Sequence, residues 1–353
     1  MTRKRALIVG AGGFSREWAR VLSAHAEVEI VGWVSRRRES VVAAAAEFGL
    51  GDIVIDTSLV DGIARARPDF VVDVTPPEAH SFVTIAALGA GVAVLGEKPM
   101  ASSLEQARAM IAASERAGKL YMVSQSRRYD ARLRALRQLV VDHVGELGIL
   151  TSDFSIGAHF GGFRDAMPSP LLLDMAIHTF DAARYISQAD PVAVYCDEFN
   201  PAWSWYAGNA AATAIFEMSN GLRYTYRGSW CSEGSHTSWE SAWRAVGPGG
   251  SATWDGHGTP EADVVREPNG FHSRTERLAP SAGASTGAGA GADVGLGSGA
   301  APAGIGGALA DFLHALDTGS TPMGECHDNI KSLAMVFAAL RSASLRERVK
   351  IAV

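Results

Sequence analysis

Up to about residue 124 the chain alternates short β-branched runs with alanine-rich stretches, and this alternation constrains the fold more than any other feature. The apolar runs cover residues 6–9, 28–34, 53–55, 70–74, 92–95 and 120–123. The stretches 41–48, 79–88 and 104–117 have the alanine content and spacing of helices packed on a sheet. A half-exposed sheet would alternate polar and apolar positions along each strand. These runs are apolar almost throughout, which predicts a parallel sheet covered on both faces. The expected fold class is α/β, with a doubly wound parallel sheet forming an N-terminal domain over residues 1–124.

Beyond Arg128 the pattern changes to longer runs at 150–159, 192–199, 210–218, 222–230, 238–246 and 251–254. They predict a second, α+β domain over residues 125–353, built on a large, mostly antiparallel open sheet. Asn220-Gly221, between two of these runs, predicts a type I′ hairpin turn with positive φ at both residues. Ser169-Pro170 reads as an N-cap followed by proline at the first helical position, opening a helix over 171–186. Residues 280–307 are almost all Gly, Ala, Ser and Pro, a composition that predicts a flexible insertion. Helical periodicity returns over 309–317, stopping near Gly319, and over 330–343, with a possible last strand at 349–353. Six of the eight tryptophans lie between Trp203 and Trp254. Trp239 and Trp243 are expected on one strand face, packing the sheet or a subunit interface, with stacking on a sugar ring as the alternative.

Composition narrows the partners. With 32 Lys+Arg against 38 Asp+Glu the net charge is -6, which argues against a protein that coats nucleic-acid phosphates. No apolar run reaches the ~18 residues of a bilayer span. The basic start Arg3-Lys4-Arg5 leads into a run too short for a signal-peptide core, so neither a membrane nor an export route is expected, and the predicted location is cytoplasmic. Cys196, Cys231 and Cys326 are far apart and form no C-x-x-C pair; they read as buried free thiols.

Four polar clusters fall where strands should end. Gly10-Ala11-Gly12-Gly13-Phe14-Ser15 follows the first strand and opens a helix, the setting in which glycines let backbone amides approach a pyrophosphate. Ser15 stands at the third glycine position, where its small side chain still permits close packing. Ser35-Arg36-Arg37-Arg38 lies where a dinucleotide fold reads the adenosine ribose. A hydroxyl and guanidiniums there suit the 2′-phosphate of NADP over NAD, the alternative being a solvated basic helix start. Thr75-Pro76-Pro77-Glu78-Ala79-His80 follows the fourth strand and Glu97-Lys98-Pro99 the fifth. Ligands of open parallel sheets bind outside the carboxyl ends of strands, so the four clusters converge on one edge. His80 taken alone reads as a helix-start residue.

Residues 171–181 are apolar except for Asp174, His178 and Asp181, which share one helical stripe. A helix apolar on its other faces should be buried, so this stripe must meet a cavity, a partner charge or a ligand. Chelation is the competing chemistry; no third ligand is identifiable nearby, and no metal is expected. A structural Asp–His hydrogen bond is a further alternative. Arg127, Arg128 and Tyr129 could touch cofactor or substrate, or hold the crossing between domains. Arg164 is either a contact for an acidic group or a solvated loop residue.

On these motifs the chain resembles the Gfo/Idh/MocA oxidoreductases, NAD(P)-dependent dehydrogenases of sugars, inositols and related polyols. The resemblance rests on the glycine turn, Thr75-Pro76-Pro77 with His80, Glu97-Lys98-Pro99, the inositol-dehydrogenase-like Arg127-Arg128-Tyr129-Asp130, and Asp174-x-x-x-His178-x-x-Asp181. It implies an N-terminal Rossmann domain, a C-terminal sheet that often buries a dimer interface, and catalysis by Lys98, Asp174 and His178. Ser169-Pro170 stands where the family usually has a glycine pair. The cofactor set expected is Gly10, Gly12, Gly13, Phe14, Ser15, Ser35, Arg36, Arg37, Thr75, Pro76, His80, Glu97 and Lys98. The substrate set is Arg127, Tyr129, Arg164, Asp174 and His178, and the assembly a homo-oligomer, dimer or tetramer. In this reading His178 shuttles the hydroxyl proton, Lys98 stabilises alkoxide charge and Asp174 orients the acid–base group. The rival readings are a non-catalytic NAD(P) sensor of the same fold, opposed by the intact Lys98, Asp174 and His178 set, and a methyltransferase, which Glu97-Lys98-Pro99 does not support.

Overall fold

The structure is a computed structural model that describes residues 3–268, 271–280 and 302–353. In chain order the elements begin with β1 (Lys4–Val9), α1 (Gly13–Ala24), β2 (Val28–Val34), α2 (Arg38–Glu47), β3 (Val54–Asp56) and α3 (Leu59–Ala66). Next come β4 (Phe70–Asp73), α4 (Pro77–Gly89), β5 (Ala93–Gly96), α5 (Leu104–Ala117), β6 (Tyr121–Val123) and α6 (Ala131–Leu139). Then follow β7 (Ile149–Ser155), α7 (Ala176–Ser187), β8 (Pro191–Phe199), β9 (Ala211–Met218), β10 (Arg223–Ser229) and β11 (Ala242–Gly247). The last are β12 (Gly250–Trp254), β13 (Glu261–Glu267), β14 (Arg274–Leu278), α8 (Gly304–Thr318), α9 (Cys326–Leu345) and β15 (Val349–Lys350). No helix among the described residues is long and apolar enough to cross a membrane.

The chain divides into two compact units. The first holds the chain up to Ser126 together with α8 and the residues to Ile330. Its six strands pair in parallel in the order β3-β2-β1-β4-β5-β6. The order reverses between β1 and β4, which opens a crevice outside the carboxyl ends of those strands. Ala6, Leu7, Ile8, Phe70, Val71 and Val72 are fully buried, as strands covered on both faces should be. Each larger side chain contributes about 1.5–3 kcal/mol. The sequence reading placed α8 in the second domain; it belongs to the first unit, where Phe312 packs on Phe70 with ring centroids 5.4 Å apart. Its start at Gly304 also corrects the flexible stretch expected over 280–307, since 304–307 form its first turn. Nearly all the rest of that stretch lies outside the described residues. Gly319 ends α8 in the left-handed conformation, as expected.

The second unit runs from Arg127 through β14 and resumes at Lys331. Its nine strands follow the order β14-β13-β12-β11-β7-β10-β9-β8-β15, antiparallel except for β7 and β10. β13 and β14 were not foreseen, because their charged residues hide the alternation. The Asn220-Gly221 hairpin exists, but only Gly221 has positive φ. Met218 and Leu222 close a three-residue loop, with Gly221 N–H donating to the Met218 carbonyl. It is the turn-plus-bulge alternative to type I′. Trp239 precedes β11 instead of sharing a strand face with the buried Trp243.

Ser169 does not cap the helix that follows. Its hydroxyl donates to Glu198 Oε2 at 3.0 Å, and 171–175 form one wide π turn before α7. Behind α7 lies a buried ion pair: Arg128 Nε and Nη2 donate to the two oxygens of Asp181, each at 2.7 Å, and the Ser332 hydroxyl donates to the same carboxylate at 2.6 Å. Removing one partner strands a buried charge. Asp181→Ala should therefore lower the unfolding free energy by about 3–5 kcal/mol in denaturant titration, and a loss below about 1 kcal/mol would contradict this role.

Candidate active site

In the first unit the site is built from the turns that follow β1, β2, β4 and β5. Gly10 has φ 114°, and a Cβ there would lie 2.6 Å from the Val74 carbonyl oxygen, so both backbone conformation and close approach require glycine. Gly12 and Gly13 face open space, while Ser15 is fully buried and its hydroxyl donates to the Gly12 carbonyl at 2.6 Å. Ser15 thus ties the turn to the first turn of α1. The accessible surface belongs to Gly12, Gly13 and the half-exposed Phe14. The positive end of α1 lies beneath them, as in anion-binding turns.

Beyond β2, Ser35 is half-buried and Arg36 and Arg37 are exposed at the start of α2. Neither arginine pairs with a carboxylate among the described residues. Arg38 is engaged elsewhere, donating to the Ile55 carbonyl at 2.9 Å.

After β4 and β5 the edge is held by buried ionisable groups. Asp73 is fully buried, and its Oδ1 accepts both the backbone N–H (3.0 Å) and the hydroxyl (2.6 Å) of Thr75. Burial pushes the Asp73 carboxyl above its usual range, opposed by the nearby His80. Pro76 and Pro77 start α4. Glu97 lies under the edge: its Oε1 accepts from Trp18 Nε1 at 2.7 Å and its Oε2 from the Lys98 backbone N–H at 3.1 Å. Lys98 itself is half-buried at the rim. The sequence reading made Glu97 and His80 cofactor contacts, and the structure places both inside the scaffold. His80 is 2% exposed, with Nδ1 2.9 Å from the Pro99 carbonyl and Nε2 2.7 Å from the Thr75 carbonyl. No ring nitrogen remains for a ligand.

The Glu97 carboxyl is pushed up to about 7 by burial, against the pull of Trp18 and Lys98. A carboxyl raised in the folded state adds stability that is fully present below its ordinary value and lost as pH rises through about 7. Denaturant titrations from about pH 5 to about pH 8 should show a decline of up to about 3 kcal/mol from this group, absent in Glu97→Gln. An equal slope in both proteins would contradict the assignment.

In the second unit, Asp174 lies in the π turn and His178 one turn later in α7, both half-buried. Asp181, placed with them on one stripe by the sequence, is committed to Arg128. Arg164 donates through Nε to Asp174 Oδ2 at 2.6 Å, with its guanidinium over the rings of Phe160 and Phe163. Its side chain is 32% exposed. The Arg127 side chain is 12% exposed, and its Nε lies 3.2 Å from Glu240 Oε2. Burial lowers the arginine and raises the glutamate, while each draws the other back toward its charged form. Tyr129, expected at the substrate, is buried with the Arg134 guanidinium over its ring. Glu240, Trp18 and the Arg164–Asp174 pairing were missed because nothing local in sequence joins these partners.

One group of potential metal ligands occurs among the described residues, Glu325, Cys326 and His327 at the start of α9. Cys326 and His327 both bond to Glu325, His327 also bonds to Glu115, and burial pushes the Cys326 thiol far above its usual range.

Residues 4–125 match the family model described as an oxidoreductase family with an NAD-binding Rossmann fold, and residues 105–253 match the GFO/IDH/MocA C-terminal domain. The uncharacterized protein y4oX of Sinorhizobium fredii is 28% identical over 98% of this chain and 95% of its own length. The D-apiose dehydrogenase of Paraburkholderia graminis is 28% identical over 97% of this chain and 88% of its own. An oxidoreductase from Agrobacterium radiobacter, solved with NAD+, L-tartaric acid and magnesium, shares the fold at TM-score 0.84 and 21% identity over 99% of both chains. With matches running from residue 4 to residue 253, the chain belongs to the GFO/IDH/MocA family of NAD-binding oxidoreductases.

Proposed function

We propose that the protein transfers a hydride between NAD(P) and a secondary alcohol or ketone of a sugar, inositol or related polyol, with NADP preferred over NAD. The observation that carries this reading is the glycine turn. Gly10 is sterically obligatory, Gly12 and Gly13 face open space at the start of α1, and Lys98 stands on the same edge of the parallel sheet. That cradle fits a dinucleotide pyrophosphate. A relative that spans nearly the whole chain is a D-apiose dehydrogenase, which supports the substrate class.

The backbone at Gly12, Gly13 and Phe14 would hold the pyrophosphate. Ser35, Arg36 and Arg37 would take the 2′-phosphate, because two exposed guanidiniums at a helix start oppose its dipole and favour a bound anion. Thr75 and Pro76 would border the cofactor. Bound there, NAD(P) supplies the hydride chemistry. Lys98 stabilises charge on the substrate oxygen, and His178 takes or returns the hydroxyl proton. Asp174, held by Arg164, orients that acid–base group, and Arg127 contacts substrate.

We further propose a homo-oligomer formed through the large sheet. Tyr195 on β8 and Ile215 on β9 are direct cross-strand partners, yet 48% and 45% exposed. A second copy of the same face would cover them.

Fluorescence titration should give tighter binding of NADPH than NADH, with Arg36→Ala and Arg37→Ala each weakening NADPH by about tenfold and leaving NADH nearly unchanged. Equal affinities would remove the NADP preference. On a panel of inositols, aldoses, uronates and nucleotide sugars, Lys98→Met should reduce turnover about 10²-fold or more. Stoichiometric NADPH binding with no hydride exchange on any of them would favour the sensor instead.

A further inference from the structure

We infer that His80 carries hydrogen on both ring nitrogens in the folded protein and is a positioning residue for Lys98. The geometry carries this. Nδ1 and Nε2 lie 2.9 and 2.7 Å from the carbonyl oxygens of Pro99 and Thr75. Carbonyl oxygens only accept, and a neutral imidazole has one donor and one bare lone pair. In either neutral tautomer, one bare nitrogen would therefore face an oxygen lone pair at hydrogen-bond distance. It would also leave that carbonyl without its donor inside the protein, at a cost of about 1–3 kcal/mol. The doubly protonated ring satisfies both carbonyls.

The groups that face the ring are polar and buried. Asp73 of β4 is fully buried beside the ring, and Glu97 beyond β5 is buried and also within its field. Tyr121 of β6 faces Asp73 and is pushed well above its usual range by burial, so it adds no charge of its own. The ring therefore sits among two buried carboxyls and the two carbonyl dipoles its nitrogens face.

The consequence falls on Lys98. Proline has no N–H, so the carbonyl of Pro99 is that residue's only backbone hydrogen-bonding group, and His80 holds it. On the other side, the Lys98 N–H donates to Glu97. The lysine backbone is clamped between these two bonds, and the same imidazole ties the clamp to the turn after β4 through Thr75. His80 thereby joins two of the turns that form the edge without reaching the ligand.

The Lys98 part rests on the proposed catalytic use of that lysine, but its test does not need turnover. In full-length protein labelled with ¹⁵N-histidine, the His80 signals are identified among the ten histidines by their loss in His80→Asn or, if that variant does not fold, His80→Gln. Near neutral pH both nitrogens should show shifts of protonated ring nitrogens with attached hydrogens; one bare nitrogen would overturn the double donation. Reductive methylation then reads the clamp by mass spectrometry. In the folded variant the labelling rate of Lys98 should change by about threefold or more relative to the exposed Lys119, because an amide can donate to only one of the two carbonyls while its oxygen confronts the other. An unchanged ratio would overturn the positioning role, whatever the outcome of the oxidation assays.

Discussion

A carboxyl removed from water must find hydrogen bonds inside the protein, and at the carboxyl edge of the parallel sheet two such groups, Asp73 and Glu97, are buried beside an imidazole. Their hydrogen bonds reach every turn that forms this edge except the one after β2. Asp73 organises Thr75, Glu97 joins α1 through Trp18 and the lysine backbone through its N–H, and His80 bridges the Thr75 and Pro99 carbonyls. The loops keep their shape because these groups have few other ways to satisfy their charges and lone pairs. A rigid base of this kind is what a positioned ammonium requires.

The second unit solves a similar problem with arginines. Arg128 is committed to Asp181, Arg127 to Glu240 and Arg164 to Asp174. These pairs divide the polar stripe of α7 and the turn before it, with Asp181 serving the scaffold and Asp174 anchored at a half-exposed position. The π turn at 171–175 shifts the helical phase ahead of α7, so the spacing of these residues in sequence is a poor guide to which of them act together.

The sheets were legible because strand burial imposes its own pattern. Val28–Val34 and Leu104–Ala117 have the bounds that periodicity alone indicates, and the glycine turn and Glu97-Lys98-Pro99 were found because their chemistry is local in sequence. What was not legible had non-local causes. His80 and Glu97 are expected as cofactor contacts, and their hydrogen bonds run to two carbonyls, an indole and a backbone N–H between 1 and 79 positions away. The Arg164–Asp174 pair is not legible in sequence because the two residues lie ten positions apart in different elements. The turn at Asn220-Gly221 was placed correctly, but its type was set by how far the flanking ladder extends, and a dipeptide does not encode that.

The proposed chemistry depends on the Lys98 ammonium at the carboxyl edge of the parallel sheet. The most direct test is kcat/KM of Lys98→Met beside the charge-keeping Lys98→Arg, using whichever polyol the wild-type protein oxidises. If the ammonium stabilises charge on the reacting oxygen, Lys98→Met costs about 10²-fold or more and Lys98→Arg recovers part of that loss. A Lys98→Met variant that keeps wild-type rates would contradict the proposal.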